Sequence, residues 1–64
     1  MWIKTQGGYL LNLDNVDYVI CNDEYTKAVH SSGQRHTTHI ISEGNCLDDI
    51  SNGLNRGYNY MEVR

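Results

Sequence analysis

Three histidines, His30, His36 and His39, are the residues of this 64-residue chain that most directly suggest chemistry. Imidazole nitrogens bind zinc or transfer protons near neutral pH when several of them converge on one point. His36 and His39 are three positions apart in a stretch, 37–41, whose threonines and isoleucines favour a β-strand. Because side chains alternate along a strand, this odd spacing predicts that His36 and His39 point to opposite faces.

His30 can approach the other two histidines only across a hairpin turn near Ser32-Gly33, so the register of that hairpin matters. Three registers are open, and they set His30 opposite Arg35, Gln34 or His36. Only the last of these pairs two imidazoles, and zinc sites use three or four protein ligands. The sequence therefore predicts no metal site.

A cysteine nucleophile is the other chemistry to consider, since covalent catalysis needs a thiol or hydroxyl, a base and an orienting group. Cys21 with His30 or His39 is conceivable, but no sequence motif supports the pair. Gly7-Gly8 precedes a strand rather than a helix, so it does not begin a phosphate-binding turn. We expect a protein that is not an enzyme and that carries no metal and no cofactor.

Length and composition indicate one small domain, residues 1–64, with a formal charge of −3 at pH 7. A domain of this size hides only about 60% of the surface that its unfolded chain exposes, so its stability is marginal. The two cysteines, Cys21 and Cys46, are too few for a disulfide scaffold and are expected to be buried, reduced thiols. With no signal peptide and no apolar run of membrane-spanning length, we expect a cytoplasmic protein without a membrane partner.

The elements that would position these side chains are hairpins, because turn signals recur along the first half of the chain. The predicted turns of an antiparallel meander are Gly7-Gly8, Asp14-Asn15, Asn22-Asp23 and Ser32-Gly33. If the first two are two-residue turns, one sheet face collects an apolar set: Trp2, Tyr9, Leu11, Leu13, Val16, Tyr18 and Ile20. The opposite face is mixed rather than fully polar, so both faces need a cover.

One cover is local, because the chain from Ser42 onward has the pattern of a helix. Asn45 is the expected N-cap, and Gly57 is the expected stop. The apolar stripe of this helix is predicted to hold Cys46, Leu47, Ile50 and Leu54. Residues 58–63 alternate again and predict a last strand or extended arm. The expected fold is α+β: an antiparallel four- to five-stranded β-meander with one helix packed on one face and a short C-terminal strand.

The opening MWIKTQGGYLLNLDNVDYV resembles a group of short bacterial and phage proteins. These proteins share a Met-Trp-Ile-basic-Thr-Gln start and a Leu-x-Asn-Leu-Asp-Asn-Val strand, which this chain matches at Met1–Gln6 and Leu11–Val16. The resemblance implies a fold more than an activity. The order of sheet and helix is similar to the PC4-like single-stranded-DNA-binding fold, in topology alone. In size and acidity the chain looks like small phage inhibitors of host defence, including anti-CRISPR proteins, which implies a bacterial cytoplasm.

Small size, negative charge and an incompletely covered sheet favour a binding module that acts through protein contacts. We expect a homodimer or higher oligomer and a host protein partner, namely a nucleic-acid-handling defence enzyme that the chain inhibits. The residues expected to contact the partner are Asp14, Asp17, Asp23 and Glu24 through polar groups, and Tyr58 and Tyr60 through apolar anchoring. The alternative is a PC4-like nucleic-acid-binding protein in which Lys4, Lys27 and Arg35 contact phosphates. The chain has only five lysines and arginines, so this alternative is less favoured.

Overall fold

Six short strands and one helix make up the protein, as shown by a computed structural model that describes residues 1–64. In chain order the elements are β1 (Trp2–Lys4), β2 (Leu10–Asn12), a 3-10 turn (Leu13–Asn15), β3 (Tyr18–Cys21), β4 (Tyr25–Ser32), β5 (Arg35–Glu43), α1 (Leu47–Asn55) and β6 (Tyr60–Glu62). They form two three-stranded sheets: a terminal sheet in the order β2-β1-β6 and a central sheet in the order β3-β4-β5. The predicted α+β class is confirmed, whereas the predicted single meander is wrong.

The first hairpin closes through the three-residue loop Gln6–Gly8 instead of the predicted two-residue turn. Thr5 N donates to the carbonyl oxygen of Tyr9 at 2.8 Å, and Gly8 N donates to the carbonyl oxygen of Thr5 at 3.0 Å. Gly8 has a φ of 90°, a left-handed conformation that glycine adopts without a Cβ clash. The strand pairing is therefore displaced by one residue from the predicted register.

This displacement decides which side of β1 faces the core, because a shift of one residue exchanges the two faces of a strand. Ile3 pairs with Leu11 and both are buried, while Trp2 pairs with Asn12 and remains half exposed. The prediction that Trp2 lies on the core face is wrong. Three other members of that predicted face are also exposed: Tyr9, Tyr18 and Ile20.

The second predicted turn, Asp14-Asn15, belongs to a 3-10 turn that separates the two sheets. The side chain of Asn12 accepts a hydrogen bond from Asp14 N at 3.0 Å, and Val16 N donates to Leu13 O at 3.3 Å. These bonds replace a hairpin ladder, so β2 does not pair with β3. The chain therefore leaves the terminal sheet here and begins the central one.

The β3–β4 hairpin turns at Asp23-Glu24, one residue later than the predicted Asn22-Asp23, because Cys21 pairs with Thr26. The side-chain oxygen of Asn22 accepts hydrogen bonds from Glu24 N and Tyr25 N, each at 2.8 Å. Asn22 N also donates to the carbonyl oxygen of Tyr25 at 2.9 Å, which closes the turn. The side chain of Asn22 thus holds the reversal from its first position, and the predicted turn is displaced by one residue.

The β4–β5 hairpin turns at Gly33-Gln34, because Ser32 pairs with Arg35. This register sets His30 opposite Thr37. None of the three predicted registers has this pairing, because each of them centred the turn earlier in the chain. The two imidazoles that could have met across the hairpin are therefore not register partners.

The helix begins at Leu47, later than the predicted start at Ser42, because β5 continues to Glu43. Asn45 contributes to this start, since its side-chain oxygen accepts a hydrogen bond from Leu47 N at 2.9 Å. The N-cap position itself is occupied by Cys46, so the assignment of Asn45 as N-cap is one residue early.

Gly57 ends the helix as predicted. Tyr58 N donates to the carbonyl oxygen of Gly53 at 3.0 Å, and Gly57 N donates to that of Leu54 at 3.1 Å. This pair of bonds is the Schellman arrangement, which requires a left-handed residue after the helix. Gly57 supplies it with a φ of 75°.

Five buried side chains from both sheets and the helix form the core cluster: Ile3, Leu11, Ala28, Ile41 and Ile50. Partly buried residues pack at its margin, and they are Met1, Leu13, Val16, Val19, Cys46, Met61 and Val63. Within the predicted helix stripe, Ile50 is buried and Cys46 and Leu47 are partly buried, but Leu54 is exposed. Cys21 and Cys46 are both free thiols in partly buried positions.

The predicted C-terminal strand is confirmed as β6, which pairs with β1 in parallel. This pairing joins the two ends of the chain, and Trp2 N donates to the carbonyl oxygen of Asn59 at 2.8 Å beside it. The single helix is too short and too polar to cross a membrane.

Candidate functional site

The terminal sheet exposes a face that is rich in large apolar side chains, here called the Trp2 face. The strand registers assign six residues to it: Trp2, Lys4, Leu10, Asn12, Tyr60 and Glu62. Trp2 is 48% exposed, Leu10 is 59% exposed and Tyr60 is 51% exposed. Tryptophan and tyrosine are among the side chains most enriched where binding energy concentrates at protein interfaces. The face therefore has the composition of a protein-binding surface.

Charged groups lie at both ends of the Trp2 face. At one end, Lys4 Nζ is 3.6 Å from Glu62 Oε1. At the other end, Asp14 Oδ1 is 3.4 Å from the amino nitrogen of Met1, the residue before Trp2. The aromatic pair Trp2 and Tyr60 is thus bordered by charged groups on both sides.

The four acidic residues predicted to contact a partner do not form one patch. Asp14 lies at the margin of the Trp2 face, whereas Asp17 Oδ2 accepts a hydrogen bond from Ser31 N at 3.0 Å in the central sheet. Asp23 and Glu24 are exposed in the β3–β4 turn. Asp14 is therefore the member of this predicted set that adjoins the Trp2 face.

The two predicted tyrosine anchors, Tyr58 and Tyr60, are both exposed but lie on different surfaces. Tyr60 belongs to the Trp2 face. Tyr58 packs on the helix, because its ring carbon Cδ2 is 3.4 Å from the position that a Cβ on Gly53 would occupy. Sequence reasoning missed Trp2 and Leu10 as surface residues, since the predicted register placed Trp2 in the core. The signal for them was the presence of apolar residues on both faces of the predicted sheet.

The central sheet has a second open face, here called the Ile40 face. The registers assign ten residues to it: Tyr18, Ile20, Tyr25, Lys27, Val29, Ser31, His36, Thr38, Ile40 and Glu43. Tyr18 is 53% exposed, Ile20 is 52% exposed and Ile40 is 46% exposed. Val29 is buried yet does not belong to the core cluster, which lies on the other side of the sheet.

Lys27 is the cation in the middle of the Ile40 face, and Glu43 lies on β5 beside Tyr25. Lys27 stands in the middle strand, with Ile20 and Ile40 as its register partners on either side. Its Nζ atom is 5.6 Å from the ring centroid of Tyr25, within reach of a cation–π interaction. The face therefore has apolar side chains on all three strands around one cation, which already has an aromatic neighbour.

The three cations predicted to contact phosphates are distributed over separate surfaces. Lys4 is in an ion pair on the Trp2 face, and Lys27 is central in the Ile40 face. Arg35 lies at the β4–β5 turn, where β5 begins. Lys4, Lys27 and Arg35 therefore do not form a continuous basic patch.

The histidines remain apart. His36 and His39 lie on opposite faces of β5, as predicted from their spacing. His36 Nδ1 is 2.9 Å from Ser31 Oγ on the exposed surface, and His30 Nδ1 is 2.8 Å from the carbonyl oxygen of Asn15. No group of three or more His, Cys, Asp or Glu side chains is arranged to hold a metal ion.

The largest cleft is an open one between the first hairpin loop and β5. Its volume is about 470 Å³, and it is lined by Gln6, Gly7, Tyr9, Tyr25, Ile40, Ile41 and Glu43. Tyr9 Oη donates a hydrogen bond to the carbonyl oxygen of Ile40 at 2.9 Å beside it.

No family model, curated protein or solved structure matches the chain. The two open sheet faces are therefore the features from which a function can be argued.

Proposed function

We propose that this chain is a non-enzymatic protein-binding module and that the Trp2 face is its docking surface. The observation that supports this most is the position of Trp2 beside Tyr60, with about half of each side chain open to solvent. Aromatic side chains have few rotatable bonds, so they lose less conformational entropy on binding than flexible side chains of similar size. Their attachment to paired strands adds to this preorganisation.

The charge of the chain favours a partner with a basic surface. Two of the eight acidic residues are in ion pairs, which leaves six without a cationic partner. Complementary charge accelerates association and discriminates against acidic partners. Proteins that handle nucleic acids carry basic surfaces for phosphate contacts, and such a host enzyme, inhibited by this chain, is the partner class that we propose.

A capture experiment with matched variants tests the docking surface. The immobilised chain is incubated with bacterial lysate, and the wild type is compared with Trp2→Ala and Tyr60→Ala. Leu54→Ala is the control, because Leu54 is an exposed apolar residue on the helix, outside the Trp2 face. We expect a basic, nucleic-acid-handling protein to be retained by the wild type and the control and to be depleted about tenfold or more by Trp2→Ala. Equal capture by Trp2→Ala and wild type would refute this docking surface.

Single-stranded nucleic acid is the second candidate ligand, and one observation favours it: Tyr18, Tyr25 and Lys27 share the Ile40 face. Bases stack on exposed aromatic rings of sheets when cations accompany them. The net charge of −3 opposes this ligand. A labelled oligonucleotide titrated at low and moderate salt separates the two candidates. Tight binding that falls steeply with salt and disappears in Tyr18→Ala would favour nucleic acid, and no binding at low salt would eliminate it.

A further inference from the structure

We infer that a second copy of this chain covers the Ile40 face, so that two central sheets stack face to face in a symmetric dimer. The face has apolar side chains on all three strands, with Lys27 in its middle row and polar residues on β5, Glu43 and Thr38 among them. On the other side of the same sheet, the core cluster buries Ala28 completely. No element of the chain covers Tyr18, Ile20 and Ile40, each of which is about half exposed.

The surface area of the single chain is large for its mass, which is consistent with a missing cover. A folded monomer of 7.3 kDa exposes about 4,200 Å² according to the usual scaling of surface with mass. This chain exposes 4570 Å². Its core cluster contains only five buried residues, and domains of this size commonly gain stability by oligomerisation.

The dimensions of the Ile40 face suit a small, specific interface. Strands about 4.8 Å apart and a rise of about 3.4 Å per residue give a patch of roughly 15 Å by 19 Å, side-chain width included. With the relief of their side chains, two such patches bury at most on the order of 1,000 Å² in total, which is the size of a weak interface. Stacked sheets lie about 10 Å apart, a gap that tyrosine and isoleucine side chains fill. Because the interface is small, we expect a weak dimer with a dissociation constant in the micromolar range or above.

The single cation of the face determines the register of the dimer. Tyr25 and Glu43 are register partners, and they lie one row away from Lys27. A two-fold axis that crosses the strands between these rows sets each Lys27 against Tyr25 and Glu43 of the second copy. Each ammonium then gains a carboxylate and an aromatic face. An axis through Lys27 itself would bring two ammonium groups together, which disfavours that register.

Sedimentation equilibrium of the full chain, from about 1 µM to about 1 mM, tests this dimer. Ile20→Asp places a carboxylate within the interface, and Leu10→Asp is the matched control on the Trp2 face, because both side chains are about half exposed on strands. We expect a micromolar dimer for the wild type and Leu10→Asp, and dissociation at least about tenfold stronger for Ile20→Asp. If circular dichroism shows that Ile20→Asp does not fold, Ile40→Thr replaces it and retains a β-branched strand residue.

A wild-type chain that stays monomeric over the whole range overturns the inference. A dimer that persists in Ile20→Asp, or that Leu10→Asp abolishes, overturns it as well. A monomeric chain that binds an oligonucleotide through Tyr18 assigns the face to nucleic acid and likewise overturns it. These results are independent of the partner-capture experiment, because Trp2→Ala leaves the Ile40 face unchanged.

Discussion

Trp2 and Tyr60 are register partners in the parallel strands β1 and β6, so an indole and a phenol from opposite ends of the chain stand next to each other. Strands that pair in parallel need a long connection, and here almost the whole chain provides it. The two side chains are therefore neighbours only when the entire domain has folded. A surface of this kind distinguishes the native protein from its unfolded chain, which suits a binding site.

The fluorescence of Trp2 should report its exposure directly, because it is the only tryptophan in the chain. We expect acrylamide to quench the native emission readily, since about half of the indole is open to solvent. Binding of a partner to the Trp2 face should shift the emission to the blue and reduce quenching, because the indole loses its contact with water. Ile20→Asp is the control that should leave the quenching unchanged. Poor quenching in the free monomer would contradict the exposed position.

Leu10 and Leu11 are adjacent leucines with opposite environments, so replacing each by alanine tests the register of the first hairpin. Leu11 is buried in the core cluster and Leu10 is exposed. Leu11→Ala should lower the free energy of unfolding by about 2–5 kcal/mol, which is enough to unfold a domain of marginal stability. Leu10→Ala should change it by about 1 kcal/mol or less. Urea denaturation followed by circular dichroism measures both, and similar losses would be inconsistent with this register.

Thr26 connects β4 to the start of the helix through its buried hydroxyl. Its Oγ1 atom donates to the carbonyl oxygen of Gly44 at 2.9 Å and accepts from Cys46 N at 3.0 Å. Thr26→Val preserves the shape of the side chain but leaves both backbone groups unpaired, so we expect a loss of about 1–3 kcal/mol in the free energy of unfolding. Thr37→Val, at an exposed strand position, should stay within about 0.5 kcal/mol. Equal effects would show that the hydroxyl of Thr26 contributes little.

Gly53 and Gly57 are two glycines of the helix region for which alanine should have opposite effects. A Cβ on Gly53 would lie at ordinary contact distance, 3.4 to 3.7 Å, from Tyr58, Met61 and Met1. Because alanine favours helix more than glycine does, Gly53→Ala should raise the free energy of unfolding by about 0.5–1 kcal/mol.

Gly57→Ala should instead lower the free energy of unfolding by about 1–2 kcal/mol, because alanine is strained at a left-handed φ of 75°. A Cβ at this position would meet no atom within 4 Å, so the loss would come from the backbone alone. Thermal or urea denaturation of Gly53→Ala and Gly57→Ala, each compared with the wild type, measures whether the free energy of unfolding rises or falls. A stabilising Gly57→Ala would argue against the Schellman end of the helix.

Features that depend on a few neighbouring residues were predictable from the sequence. Asn22 holds its turn through bonds to Glu24 and Tyr25, and Gly57 ends the helix through its own φ angle. The spacing of His36 and His39 was sufficient to place them on opposite faces, because alternation is a property of any strand. Of the residues predicted to contact a partner, Tyr60 lies on the Trp2 face and Asp14 lies at its margin. The others lie elsewhere.

The sequence by itself determined the approximate strand segments, the end of the helix, the β3–β4 and β4–β5 turns to within one residue, and the alternation within each strand. Only the tertiary structure decided which face of β1 is inside, because alternation defines two faces without naming the buried one. A loop of three residues instead of two exchanged those faces and moved Trp2 from the predicted core to the surface. That choice depends on Ile3 packing with Ile41 and Ile50, which are far from it in the chain. The parallel pairing of β1 with β6, which creates the Trp2 face, likewise requires both chain ends to meet on this core.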